Sequence, residues 1–193
     1  MTEAGLVGAL RPVADALEAL GVRYYLGGSV ASSAHGVARA SLDADLVAEL
    51  DPSHIDRLAS RLEPAYYVPL DQMRRAAAER RSFNLIHLAT MFKIDVFVSK
   101  GRPFDLMAAE RARPQAIGEA PDVCEIPVAS AEDTVLSKLE WFRVGGEVSE
   151  RQWWDVIGVL RVETDVDGEY LHRWADELGV GDLLERALAQ AAG

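Results

Sequence analysis

The sequence predicts an α+β protein in which mixed strands and helices are followed by a helical C-terminal part. Three observations predict this class. Apolar residues near the N-terminus recur at helical spacing, short segments between residues 22 and 98 alternate apolar and polar residues, and the chain from Ser130 onward has helical periodicity. A chain of 193 residues can bury a substantial core. We expect two domains, residues 1–128 and 129–193, with the second packed on the first.

The first elements are a helix, a short strand and a short helix. The first helix ends before Gly21, the strand "VRYYL" ends at Gly27-Gly28, and the helix "SVASSAHG" closes at Gly36. The apolar face of the first helix contains Leu6, Leu10, Val13, Leu17 and Leu20.

The segment "SLDADLVAEL" alternates as a half-buried strand does. Leu42, Ala44 and Leu46 lie on one face of the predicted strand, and Asp43 and Asp45 lie on the other. The two carboxylates therefore project in the same direction.

Residues 52–128 predict one clear helix, several strands and loops. A helix runs from Pro52-Ser53 to about Arg61, "AYYVPL" is a strand, and "DQMRRAAAERR" is helical or irregular. "SFNLIHL" and "MFKIDVFVS" predict a hairpin whose second strand carries Lys93 and Asp95 on its polar face. "RPQAIGEAPDVCEIPVAS", which is interrupted by Pro and Gly, predicts loops with short strands.

The C-terminal part predicts four helices. Ser130 with Asp133, and Ser149 with Gln152, resemble N-terminal capping boxes. Gly145-Gly146 ends the first of these helices. The apolar stripes contain Val135, Leu139 and Phe142; Trp153, Val156, Ile157 and Leu160; Leu171, Trp174 and Leu178; and Leu183, Leu184 and Leu188.

The charge is acidic overall but uneven. The net charge is −11, yet residues 74–113 contain nine Lys/Arg and four Asp/Glu, so that segment is +5 and the remainder −16. An acidic surface repels polyanions and disfavours an extended nucleic-acid interface. The basic segment is either a solvated face or a flank that receives an anionic substrate such as an RNA end. The acidic remainder disfavours an anionic acceptor and the basic segment favours one, so the charge does not determine the chemical class of the acceptor.

The sequence carries no targeting signal that we recognise. Cys124 is the single cysteine, so an intrachain disulfide and a cysteine-based zinc site are excluded. The N-terminus lacks the pattern of a signal peptide, and no apolar run is long enough to span a bilayer. We expect a cytoplasmic protein without a membrane partner.

Two motifs have residue types that suit phosphate and metal chemistry. A strand that ends in Gly-Gly-Ser and leads into a helix gathers backbone N–H groups and a hydroxyl, which can bind phosphate; a plain turn is the alternative. Asp43 and Asp45 are close enough to share a divalent cation such as Mg²⁺, although Asp-x-Asp on an exposed strand also occurs without a ligand.

Asp95 is the third acidic candidate. It lies between Ile94 and Val96, where an unpaired carboxylate is unfavourable. If its strand neighbours that of Asp43 and Asp45, the three carboxylates converge as two-metal phosphoryl transfer requires. One metal would then bind the leaving phosphates, and the other would lower the pKa of an incoming hydroxyl near Asp95.

These motifs, in this order, resemble the DNA polymerase β-like nucleotidyltransferase superfamily. "LGGSVASSAHGVARASLDADL" together with "FKIDVF" resembles its minimal prokaryotic branch, which includes the abortive-infection (type IV toxin) nucleotidyltransferases. "EDTVLSKLEWF" and "RQWWD" resemble later family motifs, except that Trp154 stands where the family has a lysine before the acid, here Asp155. The resemblance covers about residues 24–155.

The resemblance implies a mixed β-sheet backed by helices and an enzyme that uses Mg²⁺, with Mn²⁺ as the alternative. An NTP such as ATP would give its NMP to an acceptor hydroxyl of tRNA, a protein or a small molecule, with release of pyrophosphate. A toxin role with an antitoxin protein as partner is also implied. The implied site residues are Asp43, Asp45 and Asp95 for metal binding and catalysis, and Gly27, Gly28, Ser29 and Lys138 for nucleotide binding.

Three further residues are candidate substrate contacts. Arg39 and Ser41 match the basic and hydroxyl positions of the family, but both also suit an ordinary loop surface. Lys93 either forms an ion pair with Asp95 or contacts phosphate.

Other polar and aromatic residues have structural interpretations. His35 is interpreted as a turn or packing residue. Arg151 and Asp155 are interpreted as an i, i+4 salt bridge on one helix. The four tryptophans (Trp141, Trp153, Trp154 and Trp174) are interpreted as packing residues.

Three functions remain as hypotheses. An active Mg²⁺-dependent nucleotidyltransferase accounts for all the motif carboxylates. A catalytically silent module of the same fold, acting through a protein partner, does not need clustered carboxylates. A metal-dependent glycosyltransferase also uses Asp-x-Asp, but it leaves Gly-Gly-Ser and Asp95 unexplained.

Overall fold

The computed structural model describes residues 3–36 and 43–193. The N-terminal elements are α1 (Glu3–Glu18), β1 (Tyr24–Leu26), α2 (Gly28–Ala34) and β2 (Asp43–Ala48). A 3₁₀ turn (Pro52–His54) precedes α3 (Ile55–Leu62), β3 (Tyr66–Tyr67), α4 (Leu70–Glu79), β4 (Ser82–His87), β5 (Phe92–Val98) and α5 (Pro103–Arg111). Then follow β6 (Arg113–Glu119), β7 (Asp122–Val128), α6 (Ala131–Val144), α7 (Glu150–Val162), α8 (Gly168–Glu177) and α9 (Gly181–Ala192). Within these ranges no helix has both the length and the apolar character needed to cross a membrane.

The strands of the described ranges form one seven-stranded mixed sheet. Their order is β3-β4-β5-β2-β1-β7-β6. β2 pairs with β5 in parallel, as does β1 with β7, and the other neighbours are antiparallel. The predicted α+β class, with a mixed sheet and a helical C-terminal part, is confirmed.

The described elements group into two compact units. The first contains α1, the sheet and α3 to α5; the second contains α2 and the helices α6 to α9. The grouping of α2 with the C-terminal helices could not be read from its place in the sequence, directly after β1. The division into residues 1–128 and 129–193 stays a prediction.

The central strands bury one face, as their alternation predicts. On β2, Ala44 and Leu46 are fully buried, and on β5, Phe92 and Ile94 are fully buried. Because successive side chains of a strand point to opposite faces, the intervening polar residues lie on the other side of the sheet. The core of this unit therefore fixes the direction in which the motif aspartates project.

The segment between residues 99 and 128 is more regular than expected. α5 was not predicted, and "RPQAIGEAPDVCEIPVAS" forms a hairpin of two seven-residue strands, β6 and β7, not loops with short strands. Pro114 lies opposite Pro127, so the two missing N–H donors fall at one position of the ladder. β6 is also an edge strand, where proline is tolerated. The prolines that suggested loops are thus compatible with this hairpin.

Gly118 gives a testable consequence of the β6–β7 hairpin. Its φ is +98°, and a Cβ at this position would lie 2.3 Å from the backbone oxygen of Asp122 and 2.4 Å from Cγ2 of Val7. We expect Gly118→Ala to lower the free energy of unfolding by about 1–3 kcal/mol, because backbone strain is added to the steric overlap. Urea unfolding followed by circular dichroism measures this loss.

Gly8→Ala is the matched control for that substitution. Gly8 lies inside α1, and a Cβ there would meet no atom within 4 Å. We expect the control to gain up to about 1 kcal/mol, since alanine is the better helix former. Equal stabilities of the two variants would contradict the hairpin geometry.

The second unit contains the helix caps that the sequence predicts. Oγ of Ser130 accepts the N–H of Asp133 at 3.1 Å, and Oγ of Ser149 accepts the N–H of Gln152 at 3.4 Å. The fully buried carboxylate of Asp133 also accepts hydrogen bonds from the hydroxyls of Ser130 at 2.7 Å and Tyr170 at 2.6 Å. These contacts connect the start of α6 to α8.

Candidate active site

The three motif aspartates lie on the neighbouring strands β2 and β5. The register places Asp45 opposite Asp95, and Asp43 opposite Lys93. Side chains at matched positions of adjacent strands project from the same face of a sheet. Since the other face of both strands is core, these residues lie on the partly exposed face. The strand adjacency that the three-carboxylate hypothesis requires is present.

The ammonium group of Lys93 lies among these carboxylates. Its Nζ is 2.6 Å from Oδ2 of Asp95 and 3.8 Å from Oδ2 of Asp43. The hydrogen bond to Asp95 raises the pKa of Lys93, and the charges of Asp95, Asp43 and Asp45 add to the rise, whereas partial burial opposes it. The 2.6 Å contact shows that the ion pair of Lys93 with Asp95 is formed in this structure.

Asn84 on β4 is a site residue that was not identified from the sequence. It lies opposite Asp95, and its Nδ2 donates to Oδ1 of Asp95 at 2.5 Å. One oxygen of Asp95 is thus held by an amide and the other by the ammonium of Lys93. In the sequence, Asn84 stands out only as a polar residue inside the apolar strand "SFNLIHL". Its contact with Asp95 depends on the register of the hairpin, which the sequence does not determine.

The donor set fits a hard divalent cation such as Mg²⁺. Carboxylate oxygens are ligands that Mg²⁺ prefers, and a cationic group already lies between Asp43 and Asp95. As they stand, however, the side chains of residues 3–36 and 43–193 include no group of three Asp, Glu, His or Cys arranged around one ion.

The Gly-Gly-Ser turn follows β1 directly. The N–H of Gly27 donates to the backbone oxygen of Asp45 at 2.9 Å, so the turn begins beside the strand that carries the Asp-x-Asp pair. Gly28 begins α2 with a φ of +55°, and Ser29 is buried at 3% exposure. The nucleotide-binding roles of Gly27, Gly28 and Ser29 stay predictions.

Lys138 has a buried acidic partner. Its Nζ donates to Oδ2 of Asp155 at 2.8 Å, and the two side chains are 10% and 7% exposed. The pair joins α6 to α7. Asp155 thus contacts a residue on another helix, which the sequence did not indicate. The i, i+4 salt bridge of Arg151 with Asp155 stays a prediction.

Of the remaining candidate residues, the structure describes His35 but not Arg39 or Ser41. His35 is buried; its Nε2 donates to the carbonyl of Ala129 at 2.8 Å, and its Nδ1 lies 2.7 Å from Oε1 of Glu163. A backbone carbonyl only accepts, so Nε2 carries a hydrogen. These contacts agree with the interpretation of His35 as a packing residue. Arg39 and Ser41 lie outside the described residues.

The family match defines the class of the protein, a nucleotidyltransferase. The chain belongs to the AbiEii family: the family described as "Nucleotidyl transferase AbiEii toxin, Type IV TA system" matches residues 14–188. This match confirms the resemblance to the abortive-infection branch. A search of curated proteins finds no significant match.

Solved structures with similar folds are distant in sequence. An antigenic nucleotidyltransferase-like protein from Paracoccidioides brasiliensis is 16% identical with a TM-score of 0.54, covering 97% of this chain and 92% of that one. The antibiotic-resistance factor ANT(2'')-Ia is 14% identical with a TM-score of 0.49, covering 96% and 88%. The lincomycin-bound lincosamide adenylyltransferase LnuA is 18% identical with a TM-score of 0.48, covering 84% and 99%. The first of these supports the nucleotidyltransferase fold.

Proposed function

We propose that this protein transfers NMP from an NTP to an acceptor hydroxyl in a reaction that depends on Mg²⁺. The observation that carries the proposal is the register of β2 and β5, which puts Asp45 beside Asp95 on a face where Asp43 and Asp95 already share a cationic partner. Family membership supports nucleotidyl transfer as the reaction class.

The proposed reaction is an exchange at the α-phosphorus of the NTP. The acceptor oxygen forms a bond to that phosphorus, and the bond to the oxygen bridging towards the β-phosphate breaks. Pyrophosphate leaves with the electron pair of the broken bond. Asp95 accepts the hydroxyl proton, and the amide of Asn84 holds one of its carboxylate oxygens in place.

The other residues act on the donor nucleotide. Asp43, Asp45 and Asp95 would hold Mg²⁺, which would neutralise the triphosphate and favour ionisation of the acceptor hydroxyl, in the two-metal form if two ions bind. Backbone N–H groups at Gly27 and Gly28 and the hydroxyl of Ser29 would bind phosphate oxygens. Lys138 would contact the nucleotide, and Lys93 is the further candidate for phosphate.

The proposed biological setting follows the family description. We propose a toxin role with an antitoxin as the regulatory partner, in agreement with the type IV toxin-antitoxin family. The acceptor is a hydroxyl of RNA, a protein or a small molecule. The basic segment of residues 74–113 favours an anionic acceptor, and the acidic remainder opposes it.

The test is a transfer assay with purified protein. Each labelled NTP is incubated with Mg²⁺ and with total tRNA, with total protein or without acceptor, and labelled product and pyrophosphate are measured. We expect equal amounts of transferred NMP and pyrophosphate, and their loss when EDTA replaces Mg²⁺. Transfer that persists in EDTA would contradict the metal role.

Nucleotide binding provides a test that needs no acceptor. We expect an NTP to raise the melting temperature when Mg²⁺ is present and to have little effect in EDTA, because the carboxylates repel a triphosphate without the metal. A catalytically silent module would give no transfer with any acceptor. Silence in the transfer assay, together with absence of NTP stabilisation, would favour that alternative.

A further inference from the structure

The ammonium of Lys93 lies beside two of the carboxylates that are proposed to bind the metal ion. Its Nζ contacts Asp95 at 2.6 Å and lies 3.8 Å from Asp43. We propose that Lys93 is a built-in cation that competes with the divalent metal for these carboxylates and thereby sets the metal affinity of the site. This inference rests on the proposed function, since it takes the three aspartates as metal ligands.

Electrostatics supports a stabilising role for Lys93 in the metal-free protein. Three carboxylates on adjacent positions of two strands repel one another, and a cation among them lowers this repulsion. The Asp95 side chain is only 16% exposed, so water screens its charge less than that of Asp43, which is 36% exposed. Of these two carboxylates, the ammonium is closer to the less exposed one.

The contacts of Asp95 indicate that the ammonium and a metal ion would compete for this carboxylate. Oδ1 of Asp95 is held by the amide of Asn84 at 2.5 Å, and Oδ2 is held by Lys93. A metal ion that binds Oδ2 would lie next to the ammonium, and two cations in contact repel each other. The Lys93 side chain is 42% exposed, so it has room to turn towards solvent or towards a bound phosphate.

Because of this competition, the site would bind a metal–triphosphate complex more favourably than a bare metal ion. A bare metal ion must displace the ammonium and leave it without a carboxylate. A metal–triphosphate complex offers the displaced ammonium new anionic oxygens. Binding of the metal and binding of the nucleotide would therefore strengthen each other, and Lys93 would carry part of that coupling.

The experiment measures metal binding without catalysis. Lys93→Met removes the charge at similar side-chain length, Lys93→Arg keeps the charge, and Lys100→Met removes an exposed lysine after β5 as the matched control. Melting temperatures are recorded in EDTA and over a titration of Mg²⁺ alone. For Lys93→Met we expect a half-saturating Mg²⁺ concentration about fivefold lower than that of wild type, the scale of a part-exposed ion pair.

The metal-free protein provides the second readout. In EDTA, Lys93→Met should melt about 2–4 °C below wild type, because the carboxylates lose their cation. Lys93→Arg and Lys100→Met should stay close to wild type in both measurements. Unchanged Mg²⁺ affinity in Lys93→Met would overturn the competition.

The same titration separates this inference from the proposed function. If wild type and Lys93→Met bind Mg²⁺ with equal affinity, Lys93 is not a competitor and the metal site stands. If neither protein responds to Mg²⁺ and neither transfers NMP, the metal site itself fails. Weaker Mg²⁺ binding by Lys93→Met would show that the ammonium assists the metal, and would also overturn the inference.

Discussion

Asp45→Asn is expected to lower nucleotidyl transfer by about a thousandfold or more while leaving the fold intact. Asp45 lies opposite Asp95 on adjacent strands, and its side chain is on the partly exposed face of the sheet. The amide keeps the shape of the carboxylate but loses the charge that a divalent ion requires. Initial rates of pyrophosphate release at saturating NTP and Mg²⁺ measure the loss, and Asp43→Asn should behave similarly.

Asp71→Asn is the matched control for the Asp45 substitution. Asp71 is 87% exposed on α4 and forms a surface pair with Arg74 at 3.6 Å. We expect wild-type transfer from this control, together with unchanged circular dichroism spectra for all variants. Wild-type rates for Asp45→Asn would remove Asp45 from the metal site.

Asp155→Ala is expected to lower the free energy of unfolding by about 3–5 kcal/mol. The change leaves the ammonium of Lys138 buried without the carboxylate that it contacts at 2.8 Å. A buried charge that has lost its partner is costly, whereas a well-packed apolar pair in the same place is tolerated. Urea unfolding of the full chain measures the loss.

The double variant Lys138→Met/Asp155→Leu is the control for that pair. We expect it to recover most of the stability, because neither buried charge remains. Once stability is restored, the same variant tests the proposed nucleotide contact of Lys138: we expect a smaller melting-temperature rise with NTP and Mg²⁺ than in wild type. A loss below about 1 kcal/mol in Asp155→Ala would show that the ammonium reaches water instead.

Periodicity was sufficient to predict the strands that carry the site. The alternation of "SLDADLVAEL" and "MFKIDVFVS" gave both the strands and the faces of Asp43, Asp45 and Asp95, because one side of each strand is apolar. The sequence did not predict that the two strands are neighbours; the three-carboxylate hypothesis only assumed it. It depends on the order of strands in the sheet, which distant parts of the chain determine together.

The sequence could not predict contacts between residues that are far apart along the chain. Asn84 reaches Asp95 only through the register of β4 with β5. Lys138 and Asp155 are 17 residues apart and meet only because α6 packs against α7. The β6–β7 hairpin contains prolines that locally favour loops, and its pairing overrides that preference because Pro114 and Pro127 share one position of the ladder.

The central claim is that Asp43, Asp45 and Asp95 bind a divalent metal ion together. Mn²⁺ binds the same oxygen ligands as Mg²⁺ and is visible by electron paramagnetic resonance. We would titrate Mn²⁺, in the presence of a non-hydrolysable NTP analogue, into wild type, Asp95→Asn and Asp71→Asn. We expect saturable binding to wild type and Asp71→Asn that is lost or at least about tenfold weaker in Asp95→Asn. Equal binding by all three proteins would contradict it.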